Sequence, residues 1–456
     1  MFITESGCCF QRLCGSKRKI YYSLAGGCLA CRPVSQKRFQ IVLGSVIFCA
    51  MNIVESLLCH DEWIKLYEYK CSKSHLPDRV KDELKSFIDN KEYVTTAEKL
   101  NNGGFFSMPI LKKVNKSNSD KKRKVFTFTE EEKYIQKMIA FKLQKYDNVF
   151  ADNLYSFRSE TGVKKAVKSL VGTKNVNEMY SYKLDISDYF NSINAELLLP
   201  VLKSLLVGED RLYEIFEDML LNKEAVFEDS VISVDKGVLA GSPVSGFLAN
   251  LYLCDVDRYF QEKGSLYARY SDDIILFNKN KSDLESDVEE LHRLIYAKGL
   301  SINENKVEYS EPHEEWTFLG FSYNDGVIDV SEISKRKLKG KMRRKARALV
   351  RWKNKKGAEP ERAVRAFIRH FNKKLYDNPS QSEITWCRWY VPVINTDRGL
   401  KELDEYMQEC IRFIATGSHK KSKYRFSYDD MKQLGYTTLV NHYYKYKYSK
   451  YEKHSK

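Results

Sequence analysis

The sequence predicts an α+β protein: a small antiparallel sheet of β-α-β-β-α-β order, preceded by helices and followed by a long basic helical region. Three observations carry this. Residues 266–270 and 274–277 are largely apolar runs of strand length around Ser271, Asp272 and Asp273, which reads as a β-hairpin with an acidic tip. Residues 182–186 form another strand, ending near a further carboxylate, Asp185. Beyond Ile333 the chain turns helical and cationic, with thirteen Lys or Arg and no Asp or Glu in residues 335–356.

Taken in order, the first fifty residues stand apart. They hold seven Lys or Arg, one acid (Glu5) and six of the eleven cysteines. The apolar stretch 41–54, broken by Gly44, Ser45 and Asn52, is too short for a transmembrane helix and starts too far in for a secretory signal. Two readings stay open: an acid-poor leader of organellar type, or translation from Met51, where the composition becomes balanced. Cys28 and Cys31 have a metal-ligand spacing but no second pair completes it. Scattered single cysteines suit a reducing compartment, so a cytoplasmic protein without membrane association is expected.

Residues 51–180 open with short helices over 52–99, interrupted at Leu76-Pro77. A glycine-bearing loop (101–107) and a basic polar segment (112–124) follow; residues 126–129 then alternate Phe and Thr as a strand does. Residues 130–145 have helical spacing, with Ile135, Met138, Ile139 and Leu143 on one face. In residues 181–330, Asn194 is placed to cap a helix beginning near Ala195. A short strand (231–234), one helix (244–260), the acidic hairpin, a helix (283–298) ended by Gly299, and strands at 307–309 and 317–323 complete the region. Residues 331–456 are helical and basic, closing in a Tyr/Lys tail from Tyr443 to Tyr451 that reads as a disordered basic segment or as a stacking and phosphate-binding surface.

Two adjacent buried carboxylates repel one another and are costly without a cation. Oxygen ligands of this kind suit Mg²⁺, and Asp185 supplies the third. The net charge of +15 favours a polyanionic partner. The basic block offers Lys335, Arg336, Lys337, Arg343, Arg344 and Arg347 as nucleic-acid contacts, since so dense a run repels itself unless phosphates neutralise it.

Several motifs in one order resemble the reverse transcriptases. Tyr270-Ser271-Asp272-Asp273 is similar to the family's Tyr-x-Asp-Asp turn, and the run from Asp185 to Phe190 to its preceding metal-binding strand. Gly241-Ser242-Pro243, with Leu248 to Leu253 after it, resembles the nucleotide-site loop and helix; Phe318-Leu319-Gly320-Phe321 resembles the primer grip; Tyr155-Ser156-Phe157-Arg158 resembles the Gly-Phe-Arg fingers motif, with Ser156 in the glycine position. The resemblance implies a right-hand polymerase: N-terminal helices and fingers over 51–180, a ferredoxin-like palm over 181–330, and a helical thumb and tail over 331–456. It implies two Mg²⁺ ions, with Mn²⁺ as a substitute, held by Asp185, Asp272, Asp273 and the Ile186 carbonyl. Asp188 is left outside that set. Phe190 would exclude a 2′-hydroxyl, so dNTPs would be preferred. Gly241, Ser242, Pro243, Arg158 and Lys306 would meet the nucleotide, Lys306 near the pyrophosphate; Arg123 and Lys124 are further candidates. Phe318, Leu319 and Gly320 would form the primer grip. The chain departs from the pattern at Leu239 and Ala240, where many members carry Pro-Gln.

Downstream, the run from Ile384 to Asp397 with Leu400, and the run from Ile411 to Gly417, resembles the tail of bacterial "unknown group" enzymes, the type 2 defence-associated reverse transcriptases among them. That implies a structured noncoding RNA as template and scaffold, with a cDNA product acting against phage. Two alternatives stand beside it: a template-independent or protein-primed DNA synthesiser using a tail tyrosine, and an RNA-binding scaffold with an idle site, against which the intact Asp185, Asp272 and Asp273 argue.

Overall fold

Alternation along one strand decides how the central sheet is used. In Asp273–Asn278, Ile274 and Leu276 enter one core while Ile275 and Phe277 enter the other, the two-residue period of a strand buried on both faces. This computed structural model describes residues 51–73, 76–115, 122–376 and 385–454. The expectations for Met1–Ala50, including the Cys28/Cys31 spacing, lie outside the described residues, as do Lys121, Ile384 and the side chain of Tyr451.

The palm sheet runs Leu266–Tyr270, Asp273–Asn278, Tyr180–Asp185, Glu308–Ser310, every pairing antiparallel. In chain order these are the second, third, first and fourth strands, the ferredoxin-like arrangement expected. One face joins the N-terminal helices, the fingers and helices such as Ala195–Leu205 in the first core; the other meets the thumb in the second. Asn194 caps Ala195–Leu205, accepting from the Glu196 N–H at 2.8 Å.

Four local expectations are corrected. The described residues of the basic segment 112–124 are strand: Ile110–Asn115 pairs antiparallel with Lys122–Thr127 and joins Glu224–Phe227 and Ser230–Ser233 in a fingers sheet. Its lysines cover a two-residue pattern in which Leu111 and Phe126, directly opposite, are buried. The strand expected over 317–323 is two, Trp316–Phe318 and Phe321–Asn324, turned by Leu319 and Gly320 at φ 51° and 88°, the positive φ at both positions that a type I′ two-residue hairpin turn requires. The helix expected over 244–260 is two, Ser245–Tyr252 and Cys254–Lys263, separated at Leu253. The Tyr/Lys tail is helical through Leu439–His454, because Asp404 accepts from the N–H groups of Leu439 (2.8 Å) and Val440 (3.1 Å) and Tyr443 is buried in the second core.

The thumb's long helix, Glu332–Lys356, is capped by Ser331 and stopped by Gly357 at φ 59°. Leu338, Met342, Ala346 and Leu349 make its single buried stripe. Among the described residues no helix is long and apolar enough to cross a membrane.

Candidate active site

Asp185 is the last residue of its strand and Asp273 the first of the next, and the two are register partners across the sheet. The Ile186 N–H donates to the Asp272 carbonyl at 3.0 Å, and the Asn303 N–H to the Asp185 carbonyl at 2.8 Å. Ser271 makes the turn at φ 62°. Three carboxylates from two distant segments thus share one corner, Asp185 buried and the other two half-buried. Burial first, then the charges of Asp272 and Asp185, pushes the Asp273 carboxyl up to about 7; burial, then Asp185, raises Asp272 as well. Both shifts follow from loss of hydration first and like charge second. Lys306 answers part of it, its Nζ 2.5 Å from Asp185 Oδ1.

Among the described residues, no three acidic, His or Cys side chains close into a metal cage. The backbone nevertheless gathers Asp185, Asp272 and Asp273 at one corner. The chemistry still fits a hard divalent cation. All donors are oxygens, the corner disfavours unneutralised negative charge, and Mg²⁺ typically takes one or two carboxylates and fills its shell with water and substrate phosphate.

The corner opens into a cleft of ≈ 720 Å³ bordered by Asp185, Asp272, Phe190, Arg123, Gly241 and Lys306. The Phe190 ring is braced edge-on by Phe157 and Tyr189, each with centroids at 5.8 Å. Its backbone is held too, for a Cβ on Gly237 would lie 2.0 Å from the Phe190 carbonyl oxygen. Gly241, at φ 107°, is required by a close approach: a Cβ there would meet Val125 Cγ1 at 2.6 Å and the Phe126 carbonyl at 2.8 Å. The palm loop is thereby pressed against the fingers strands.

Other expected contacts are not brought to the cleft. Arg158 is turned inward, bonding both Asp147 carboxylate oxygens at 3.0 Å and the carbonyls of Ala151 and Leu154; a guanidinium so satisfied has no donors to spare for a triphosphate. Ser242 is buried and donates to Gln136 Oε1 at 2.7 Å, and Pro243 borders a separate cavity behind Phe157. Phe318 is fully buried; the Leu319-Gly320 turn beside it packs against Tyr390, and the Leu319 carbonyl accepts from Trp389 Nε1 at 3.4 Å. Lys335 pairs with Glu332 at 2.8 Å and with Glu402, and so serves the thumb's own structure. Arg336, Lys337, Arg343, Arg344 and Arg347 are exposed. Sequence reasoning missed the brace that Phe157 and Gly237 give Phe190; the positive φ of Phe157, 54°, is invisible in a string of letters.

Comparison with known proteins agrees with this geometry. The reverse transcriptase (RNA-dependent DNA polymerase) family matches residues 111–323. The retron Ec48 reverse transcriptase of Escherichia coli is 25% identical over 255 residues, covering 50% of this chain and 58% of that protein. The retron Ec86 reverse transcriptase of Escherichia coli is 24% identical over 174 residues, covering 37% and 50%. The chain therefore spans about half the length of these relatives. Among solved structures, telomerase from Candida albicans in complex with a TWJ fragment of telomeric RNA aligns with a TM-score of 0.41 at 11% identity, covering 77% of this chain and 71% of that one. Apo telomerase from Candida tropicalis aligns at 0.43 and 11%, covering 73% and 59%. Residues 111–323, which hold the three carboxylates, Phe190 with its two aromatic neighbours and the Gly241 contact with the fingers strands, are thus similar to the reverse transcriptase family, and bacterial retron enzymes are among the proteins this chain resembles.

Proposed function

We propose that the chain is an RNA-directed DNA polymerase that copies a structured noncoding RNA partner into cDNA from dNTPs, in bacterial defence against phage. The observation that carries the polymerase reading is the register pairing of Asp185 with Asp273 beside the Asp272 turn, at the mouth of a cleft that also holds Phe190. In this reading Asp185, Asp272, Asp273 and the Ile186 carbonyl hold two Mg²⁺ ions, for which Mn²⁺ can substitute. Bound there, divalent ions supply activation of the attacking 3′-oxygen and neutralisation of phosphoryl charge. The chain's own residues do the rest. Lys306, more than half exposed, is free to leave Asp185 for a phosphate and to give a proton to the leaving group. Arg123 stands across the cleft as a phosphate fork. The Phe190 ring, fixed by its two aromatic neighbours, leaves no room for a 2′-hydroxyl.

The RNA partner is supported by the exposed cations of the thumb helix and by the retron likeness; the defence role rests on the resemblance of the C-terminal segment. Sequencing the RNA and DNA that copurify with the natively expressed protein tests both. One structured RNA and its complementary DNA are expected; random cellular RNA with no complementary DNA would overturn the reading. Phe190→Ala tests the cleft: ribonucleotide incorporation should rise about tenfold or more relative to deoxyribonucleotide, and unchanged sugar selectivity would remove Phe190 from the role.

A further inference from the structure

A buried hydrogen-bond network lies beneath the acidic turn, and the chemistry above uses none of its members. Ser271 holds a left-handed conformation that a serine keeps only where its surroundings over-determine it. Its N–H donates to the Ser156 hydroxyl at 2.9 Å, and its carbonyl accepts from Arg269 Nη1 at 3.3 Å. The Ser156 hydroxyl donates in turn to Asn250 Oδ1 at 3.1 Å, while Asn250 Nδ2 donates to the Ser156 carbonyl at 2.7 Å. Arg269 bridges the Asn250 carbonyl and Asp257, its Nε 2.7 Å from Asp257 Oδ1. Ser156, Asp257 and Arg269 are each 0% exposed and Asn250 1%. The backbone runs the same way: Tyr155 N–H donates to the Arg269 carbonyl and Arg269 N–H to the Asn153 carbonyl, both at 3.0 Å.

We infer that Ser156 is a positioning residue for polymerisation: its hydroxyl ties the turn that presents Asp272 to the fingers segment and to the helix Ser245–Tyr252. Where the fingers motif that this segment resembles has glycine, no side-chain tether of this kind is available; here one hydroxyl accepts the turn's strained N–H and donates to a helix side chain. The tether uses both functions of the hydroxyl, in a site that water does not reach, so its loss leaves a turn N–H and an amide oxygen without partners. The turn would then relax toward an ordinary backbone conformation and carry Asp272 with it. Misplacement of a reacting group by about an ångström costs up to about a hundredfold in rate.

The inference rests on the polymerase reading, and its test separates the two. In the full chain, Ser156→Ala should lower kcat for primer extension about ten- to a hundredfold while KM for dNTP stays within about twofold. Amide exchange of the peptide spanning Ser271 should accelerate about tenfold or more, with the global melting midpoint little changed. Asn250→Ala should give the same signature. Should Ser156→Ala fail to fold, Ser156→Cys, close in size but a weaker hydrogen-bonding group, carries the same readouts. Unchanged kcat, or lowered kcat with unchanged exchange at Ser271, overturns the inference. A wild-type chain without polymerase activity overturns the polymerase reading instead, and the exchange measurement still decides whether the tether exists.

Discussion

The palm corner and the thumb helix both crowd like charges together, and they tolerate it by opposite means. In the palm, Asp185, Asp272 and Asp273 sit buried or half-buried, and burial first, with the neighbouring carboxylate charges second, pushes Asp272 upward and Asp273 to about 7. In the thumb, most of the thirteen cations of residues 335–356 lie on the solvent side of a helix whose apolar stripe is only four residues, Leu338, Met342, Ala346 and Leu349. Water and salt screen that array. Confined charge asks for a specific cation at one point; exposed charge asks for any polyanion along a line. The Arg269–Asp257 pair is the internal control: both side chains are fully buried, yet they are opposite in sign and satisfied by several bonds, so the same burial is stable there.

Breaking the confined array should have the largest effect. Asp272→Asn or Asp273→Asn should lower primer extension by on the order of 10³-fold or more, about 4 kcal/mol of barrier, while the melting midpoint holds or rises because a repulsion has been removed. A melting point that collapses with activity would mean that the carboxylates are structural. Breaking the paired control should do the reverse. Asp257→Asn leaves the Arg269 charge buried without its counter-ion and should cost about 3–5 kcal/mol in denaturant unfolding; a loss under about 1 kcal/mol would mean that water reaches the pair.

Asp404, which anchors the tail helix, sharpens the comparison through pH. Burial pushes its carboxyl up to about 6, against the pull of the Leu439 and Val440 N–H groups. The folded chain therefore binds more protons than the unfolded one between the ordinary carboxylate range and about 6. Stability should fall as pH rises through that window and level off above it, by at most about 3 kcal/mol. Melting at pH 4.5 and 7 should show a smaller difference in Asp404→Asn than in wild type, the remainder belonging to Asp272 and Asp273, which burial also raises; an identical slope in both would assign the whole titration elsewhere. The exposed array should give the smallest effect. Replacing Arg343, Arg344 and Arg347 together by Gln should flatten the log-affinity against log-salt slope for single-stranded RNA by about 2, with the melting midpoint unchanged. Lys335→Gln should instead lower stability and leave the slope alone, since Lys335 is committed to Glu332 and Glu402.

How far each feature could be read in advance follows from how local it is. The acidic hairpin was legible because two apolar runs and a three-residue tip are contained in a dozen positions. The Asn194 cap and the stop at Gly299 were legible for the same reason. The paired fingers strands were hidden because lysines cover their outer face, leaving only Leu111 and Phe126 to mark the inner one. The tail helix was hidden because its N-terminal anchor, Asp404, lies 35 positions away. Arg158 and Lys335 resemble their charged neighbours in every local respect; Asp147 and Glu402 took them out of the pool of nucleic-acid contacts.

Residue order alone thus settled the chemistry on offer: three carboxylates at strand ends, an aromatic five positions after the first, and a cationic helix. Periodicity and turn preference are written in neighbouring residues. Folding alone settled which charges are confined and which are screened, that Asp185 meets Asp273 across the sheet, and that Ser156 lies under the turn. Burial and partnership depend on segments distant in the chain, and no short stretch of sequence contains them.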